Sequence, residues 1–469
     1  MLLEFIKSIK FQYMKKLFLF LLFASFSIQA QYKITGELNP PKKYNWIILY
    51  KIEGARQVFI KSETLKKTSK VINGKKTTVS NFAFTLPANA KTGTYRVSYK
   101  TEGGGFADFL FNKENISFTF NPEKAEETIK FHQSKENKLY QEYINTVSIQ
   151  QYKTDSLQVA YLKNPQPNTE ILYKTQLTKI AALQKQYLAK SNGLMVHSFI
   201  KATNRYNSPT ISKNPQSYLK SINDHFFDTI DFTNNALYNS SFIIDRITDF
   251  VFYMNYSDDA KKQNELHKKA VQTVLEKVKS QPFKKDILEF LITQFVNSRN
   301  IDFADYLMQS YYKKLPIATQ NKEFITSFND KTVISIGRTA PEITWKENGK
   351  SYQLSTLKGA QNYVLVFWST GCSHCLREIP VLYKNTQNSK NTKVIAFSLE
   401  NNDKDWKKHI QKYPKWHHAI GLNKWENPTA RTYQIFSTPT YIVLDKNKKI
   451  IAKPATLDEV SKIVKYLEK

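Results

Sequence analysis

Two cysteines set three residues apart constrain this chain more than any other feature. Cys372 and Cys375 lie in the run Tyr363 to Pro380, YVLVFWSTGCSHCLREIP, and they are the only two cysteines among 469 residues. Thiols that close can join as a disulfide and separate again, which is the chemistry of a redox centre. Val364 to Trp368 is a short, continuous β-branched and aromatic run, the pattern of a strand buried on both faces. Ser369-Thr370-Gly371 can then turn the chain and cap a helix beginning near Cys372. At the head of that helix, unpaired N–H groups and the dipole favour a thiolate, so Cys372 is expected to attack. Cys375 falls one turn further in, shielded, and is expected to resolve.

The pair sits inside a longer pattern. Ala340-Pro341-Glu342, Leu357-Lys358-Gly359 and Phe367-Trp368 precede it, and Glu378 and Pro380 come after it. Further on, Phe436-Ser437-Thr438-Pro439-Thr440-Tyr441 leads into Ile442-Val443-Leu444-Asp445. On these residues the last quarter to third of the chain resembles exported thioredoxin-fold thiol–disulfide oxidoreductases of the TlpA/ResA-like branch, in a Bacteroidetes-type multidomain arrangement. The resemblance implies an α/β thioredoxin-like fold and a Cys372–Cys375 redox disulfide. It implies a cis Thr438-Pro439 bond facing the pair and offering backbone groups to an extended substrate. Glu378 would be a buried carboxylate relaying a proton to or from the inner thiol, and Pro380 the kink in the active-site helix. Trp368, His374, Thr438 and Pro439 are the expected substrate-binding residues. No cofactor and no metal is implied, because sulfur carries the electrons. The implied partners are protein thiols and disulfides of the cell envelope, apocytochromes among them, with a membrane electron donor upstream.

Two positions depart from the family pattern. Gly371 stands where an aromatic residue is usual, and His374 where proline is common. A histidine there resembles oxidising relatives such as DsbA. Thioredoxin and DsbA differ by ~150 mV, or roughly 7 kcal/mol, which exceeds what one imidazole supplies. The reducing direction is favoured and the oxidising one stays open.

Other chemistries fit less well. A structural disulfide between residues i and i+3 closes too small a loop to stabilise much. Zinc wants four ligands, and beside the pair the chain offers only His374, His417 and His418, the last two expected to be exposed between helix and strand. A thioredoxin-fold peroxidase would want Ser369 three residues before Cys372, which is present, and a proline where Leu365 stands. A non-enzymatic envelope binding protein with a dedicated redox module is a further alternative. Glu378 could also be a plain surface residue pairing with Arg377 or a nearby lysine.

Length argues for two or three domains. The formal net charge is +29 with a sequence pI near 9.6, yet residues 337–469 alone hold 22 Lys and Arg against 11 Asp and Glu. The excess is spread out and not gathered into a stripe, so a nucleic-acid partner is not expected. Met14-Lys15-Lys16, the apolar run Leu17 to Phe23 and the small-residue exit at Gln29-Ala30 read as a secretory signal over 1–30. An uncleaved anchor is the alternative, and either places the protein in the periplasm or cell envelope. A lone close pair of cysteines also suits an oxidising compartment.

Residues 31–122 read as short strands punctuated by Asn39-Pro40-Pro41, Asn73-Gly74 and Gly103-Gly104-Gly105, which predicts a β-sandwich. From 123 to 330 the period turns helical. Leu139, Tyr143, Ile144 and Val147 share one face, Pro165 and Pro167 interrupt, and Phe242 to Met254 is expected to be one apolar helix. By the resemblance, residues 331–469 are expected to form the thioredoxin-like domain.

Overall fold

The computed structural model describes residues 31–41, 45–72, 74–100 and 105–468. The expected signal over 1–30 lies outside them. The chain divides into two compact units, 1–287 and 288–469.

Among the described residues the first unit opens with nine strands. They are β1 (Tyr32–Leu38), β2 (Trp46–Glu53), β3 (Arg56–Thr64), β4 (Lys66–Ile72), β5 (Lys75–Leu86), β6 (Gly93–Ser98), β7 (Phe106–Phe111), β8 (Ile116–Phe120) and β9 (Lys130–Gln133). They pair into two sheets, one in the order β4-β5-β1-β8-β9 and the other β3-β2-β6-β7. Alternating residues from both fill one core: Ile34, Phe84 and Phe118 from the first, Leu49, Val97 and Phe109 from the second. In β1, Gly36 is required by space, since a Cβ there would meet the Phe82 ring at 2.1 Å. The strand-like segments Tyr32–Leu38, Trp46–Tyr50, Phe82–Leu86, Gly93–Tyr99 and Ile116–Phe120 read from the sequence fall in β1, β2, β5, β6 and β8, whereas β3 and β4, whose residues are mostly exposed and polar, gave no such signal.

Helices come next. Lys135–Lys163 buries Tyr143 and Val147, and Pro167 opens the next helix, Pro167–Lys190, as the two prolines lead one to expect. The apolar run Phe242 to Met254 is not a single α-helix. It is α-helical over Phe242–Thr248 and π-helical over Asp249–Met254. The Asn255 amide caps the wide turn by donating to the Phe250 carbonyl at 2.8 Å.

The second unit carries the thioredoxin-like sheet. A hairpin of β10 (Thr344–Glu347) and β11 (Lys350–Gln353) precedes β12 (Asn362–Trp368), β13 (Thr392–Glu400), β14 (His417–Leu422), β15 (Thr440–Asp445) and β16 (Ile450–Ala452). The last five form one sheet in the order β14-β13-β12-β15-β16, with β13 parallel and β15 antiparallel to β12. Every residue of β12 is buried, as a central strand covered on both faces demands. Its alternate residues feed two cores. Leu365 and Phe367 meet Ile395, Phe397 and Ile442 on one face, while Val364, Val366 and Trp368 meet Ile379, Ala396 and Val460 on the other.

Strand β14 corrects one expectation. His417 and His418 are not exposed between elements. His417 lies 2.9 Å from a Glu347 carboxylate oxygen, and His418 is 5% exposed with Nε2 2.9 Å from the Tyr413 carbonyl. Pairing with β13 draws both into the sheet. Among the described residues no three His, Cys, Asp or Glu side chains gather to hold a metal. None of the described helices is long and apolar enough to cross a membrane.

Candidate active site

Strand β12 ends at Trp368, Ser369 to Gly371 turn the chain, and the helix Ser373–Thr386 begins with Cys372 as its N-cap. The Cys372 sulfur does what an N-cap oxygen normally does, accepting the Cys375 N–H at 3.3 Å. On its other side the thiol can donate to the Thr438 carbonyl at 3.3 Å. The Thr438-Pro439 bond is cis, as the resemblance implies, and the Thr438 carbonyl faces the pair. Both cysteines are thiols here, Cys372 half-buried and Cys375 buried.

Their environments separate them. Burial pushes the Cys372 thiol up, but hydrogen bonds with Cys375, Thr438 and the backbone N–H of His374 outweigh it, and the net shift is downward. Cys375 sits among Trp368, Ile379 and Tyr441. Burial, reinforced by its bond to Cys372, pushes it up to about 12. One sulfur is thus made easier to ionise and the other harder.

Glu378 is half-buried on the same helix, one turn after Cys375. It accepts a hydrogen bond from the Tyr441 hydroxyl at 2.7 Å. Arg377, its alternative partner by sequence, instead donates to His374 Nδ1 at 3.0 Å. The Tyr441 hydroxyl is shifted upward by burial first, then by Glu378 and by both cysteines, so all four groups share one electrostatic neighbourhood.

Two expected substrate contacts are placed differently from one another. His374 is exposed beside the pair, with its ring bonded to Arg377. Trp368 is 1% exposed and packs behind Cys375, so it forms a wall of the site and not a surface that a substrate meets. Strand parity decides this, because Trp368 shares the inward face of Val364 and Val366. Pro380, exposed within the helix, removes the N–H that would bond to the Leu376 carbonyl.

Residue spacing gave no warning of Glu400. It ends β13, is 5% exposed, and accepts hydrogen bonds from Thr370 N at 2.6 Å, Thr370 Oγ1 at 2.9 Å and Ser398 Oγ at 2.6 Å. Ser369 Oγ lies 3.5 Å from its second oxygen. The serine that a peroxidase would turn toward its sulfur is therefore engaged with Glu400, and Leu365 is buried in the core. The signal for Glu400 was a carboxylate closing an otherwise apolar strand, which asks for buried donors nearby.

Comparison with known proteins covers the same stretch. The Thioredoxin-like family profile matches residues 360–450. The thiol-disulfide oxidoreductase ResA of Bacillus cereus is 29% identical over 147 residues, 30% of this chain and 82% of that protein. ResA of Geobacillus thermodenitrificans is 27% identical over 140 residues, 28% of this chain and 78% of its own. Among solved structures, the thioredoxin domain of a Bacteroides vulgatus thiol-disulfide oxidoreductase aligns with 28% identity, 29% of this chain, 98% of that chain and a TM-score of 0.26. A thiol:disulfide interchange protein from a Bacteroides species gives 29% identity, 28% and 90% coverage and a TM-score of 0.26. Its C-terminal domain is thioredoxin-like, and over that domain the chain is similar to the ResA thiol–disulfide oxidoreductases.

Proposed function

We propose that the protein is an exported enzyme that exchanges disulfides with cell-envelope protein partners through Cys372 and Cys375. The observation that carries this reading is the opposed tuning of the two sulfurs at the head of one helix. In the reducing direction the Cys372 thiolate attacks a partner disulfide, forming a mixed disulfide and releasing one partner thiolate. Cys375 then gives up its proton, with Glu378 as the acceptor, and attacks the Cys372 sulfur. The mixed disulfide breaks, the second partner thiol leaves, and the enzyme keeps the Cys372–Cys375 disulfide. Two electrons have passed to the partner, and a membrane electron donor restores the dithiol. The oxidising direction is the reverse.

Thr438 and Pro439 would pair with an extended client, and His374 would meet it from the helix. Leu376, four residues after Cys372, and Phe436, two before Thr438, both expose apolar side chains, which suits polypeptide clients. We read residues 31–122 as a β-sandwich and 123–330 as a helical domain. The apolar stretch before Ala30 supports export. Insulin or a client disulfide incubated with the reduced full chain tests the activity. Reduction that disappears in Cys372→Ser supports it, and turnover that survives that change contradicts it.

A further inference from the structure

Something must fix the turn between β12 and the helix, because the Cys372 sulfur is useful only where it meets the helix's first N–H groups. Gly371 brings no side chain to the task, and a Cβ at that position would meet nothing nearer than Ser369 Oγ at 3.9 Å. The bracing comes from the neighbouring strand. Parallel register sets Trp368 against Ser398, so Glu400, two residues on, arrives beside Thr370. Its carboxylate takes the Thr370 N–H and hydroxyl as well as Ser398 Oγ, and lies within reach of Ser369 Oγ. Ser369 in turn holds the two ends of the next short stretch: its carbonyl accepts the Cys372 N–H at 3.1 Å and its hydroxyl accepts the Gly371 N–H at 3.3 Å.

We propose that Glu400 is a positioning residue, whose buried carboxylate clamps the Ser369–Gly371 turn and thereby holds Cys372 as the cap of its helix. This rests on the reading of Cys372 as nucleophile. A carboxylate buried at this depth needs several donors, and here most of them come from the turn it braces. Loosening the clamp moves the Cys372 sulfur away from the N–H groups of His374 and Cys375, which raises its affinity for a proton. A carboxylate acting only through its charge has the opposite sign, since removing a nearby negative charge makes a thiolate easier to form. Geometry and charge are therefore separable by the direction of one shift.

The test uses the reduced full chain and two variants, Glu400→Gln and Thr370→Val, with Glu400→Asp as the conservative control. The pH dependence of iodoacetamide alkylation reports on Cys372, because Cys375 is buried. The expected result is a midpoint raised by about one unit in both variants, hence ~10-fold slower alkylation at pH 7, with Glu400→Asp between them and the native chain. Should Glu400→Gln fail to fold, Thr370→Val and Glu400→Asp carry the test. Unmoved midpoints, or a lower midpoint in Glu400→Gln, overturn the proposal. Alkylation needs no client, so a chain that reduces no disulfide would overturn the proposed function while leaving this readout intact.

Discussion

At the residue scale the chemistry depends on two sulfurs that differ only in where the backbone puts them. Cys372 caps a helix and Cys375 lies inside a core, which shifts their acidities in opposite directions and underlies the roles proposed for them. Alkylation of the reduced chain is expected to show a Cys372 midpoint below the ordinary thiol value of about 8.5. A midpoint above 9 would contradict the assignment. Cys375→Ser is expected to stall at the mixed disulfide, so that partners are captured covalently and multiple turnover falls by at least ~10³-fold. Tyr441→Phe removes the hydroxyl that donates to Glu378, and is expected to slow the resolving step several-fold at a stability loss of about 1 kcal/mol. Single-turnover decay of a preformed mixed disulfide measures that step. The closeness of the two cysteines and the cis Thr438-Pro439 bond were legible because local spacing and motif carry them. Glu400 and the Tyr441 hydroxyl were not, because each meets its partner only through strand register across dozens of residues.

At the scale of elements, apolar run length distinguished strand from helix wherever burial was complete, as in β12. It failed for β3 and β4, whose exposed polar residues carry no alternation to read. It failed too at Asp249–Met254, where hydrophobicity cannot tell a π turn from an α turn. Strand β1 yields a direct prediction. Gly36→Ala drives a Cβ into the buried Phe82 ring and is expected to destabilise the first unit by about 1–3 kcal/mol, lowering its thermal midpoint. Strand β14 yields another. Burial holds the His418 pKa below the usual imidazole value, so the folded chain keeps it neutral while the unfolded chain binds the proton. Its contribution is intact above the unfolded pKa of about 6.5 and drains away as pH falls below it. Denaturant midpoints measured from pH 7.5 to 5 should decline for the native second unit and decline less in His418→Gln.

At the scale of the molecule, the chain forms two compact units. The second holds Cys372 and Cys375, and the first, with its two sheets and long helices, has no cysteine. Charge spread along the sequence gives no reason to expect a nucleic-acid partner but says little about what the first unit binds, because a surface for protein partners has no fixed residue spacing. Covalent capture by full-length Cys375→Ser addresses that: a single captured client indicates dedicated delivery, and many indicate general exchange. The central claim is tested most directly by equilibrating the full chain in glutathione buffers of graded potential and counting free thiols by mass after alkylation. The account predicts one two-electron transition in which Cys372 and Cys375 become blocked together, with a potential between about −270 and −120 mV. A pair that stays fully reduced across the whole range, or that takes up glutathione without closing on itself, would contradict it.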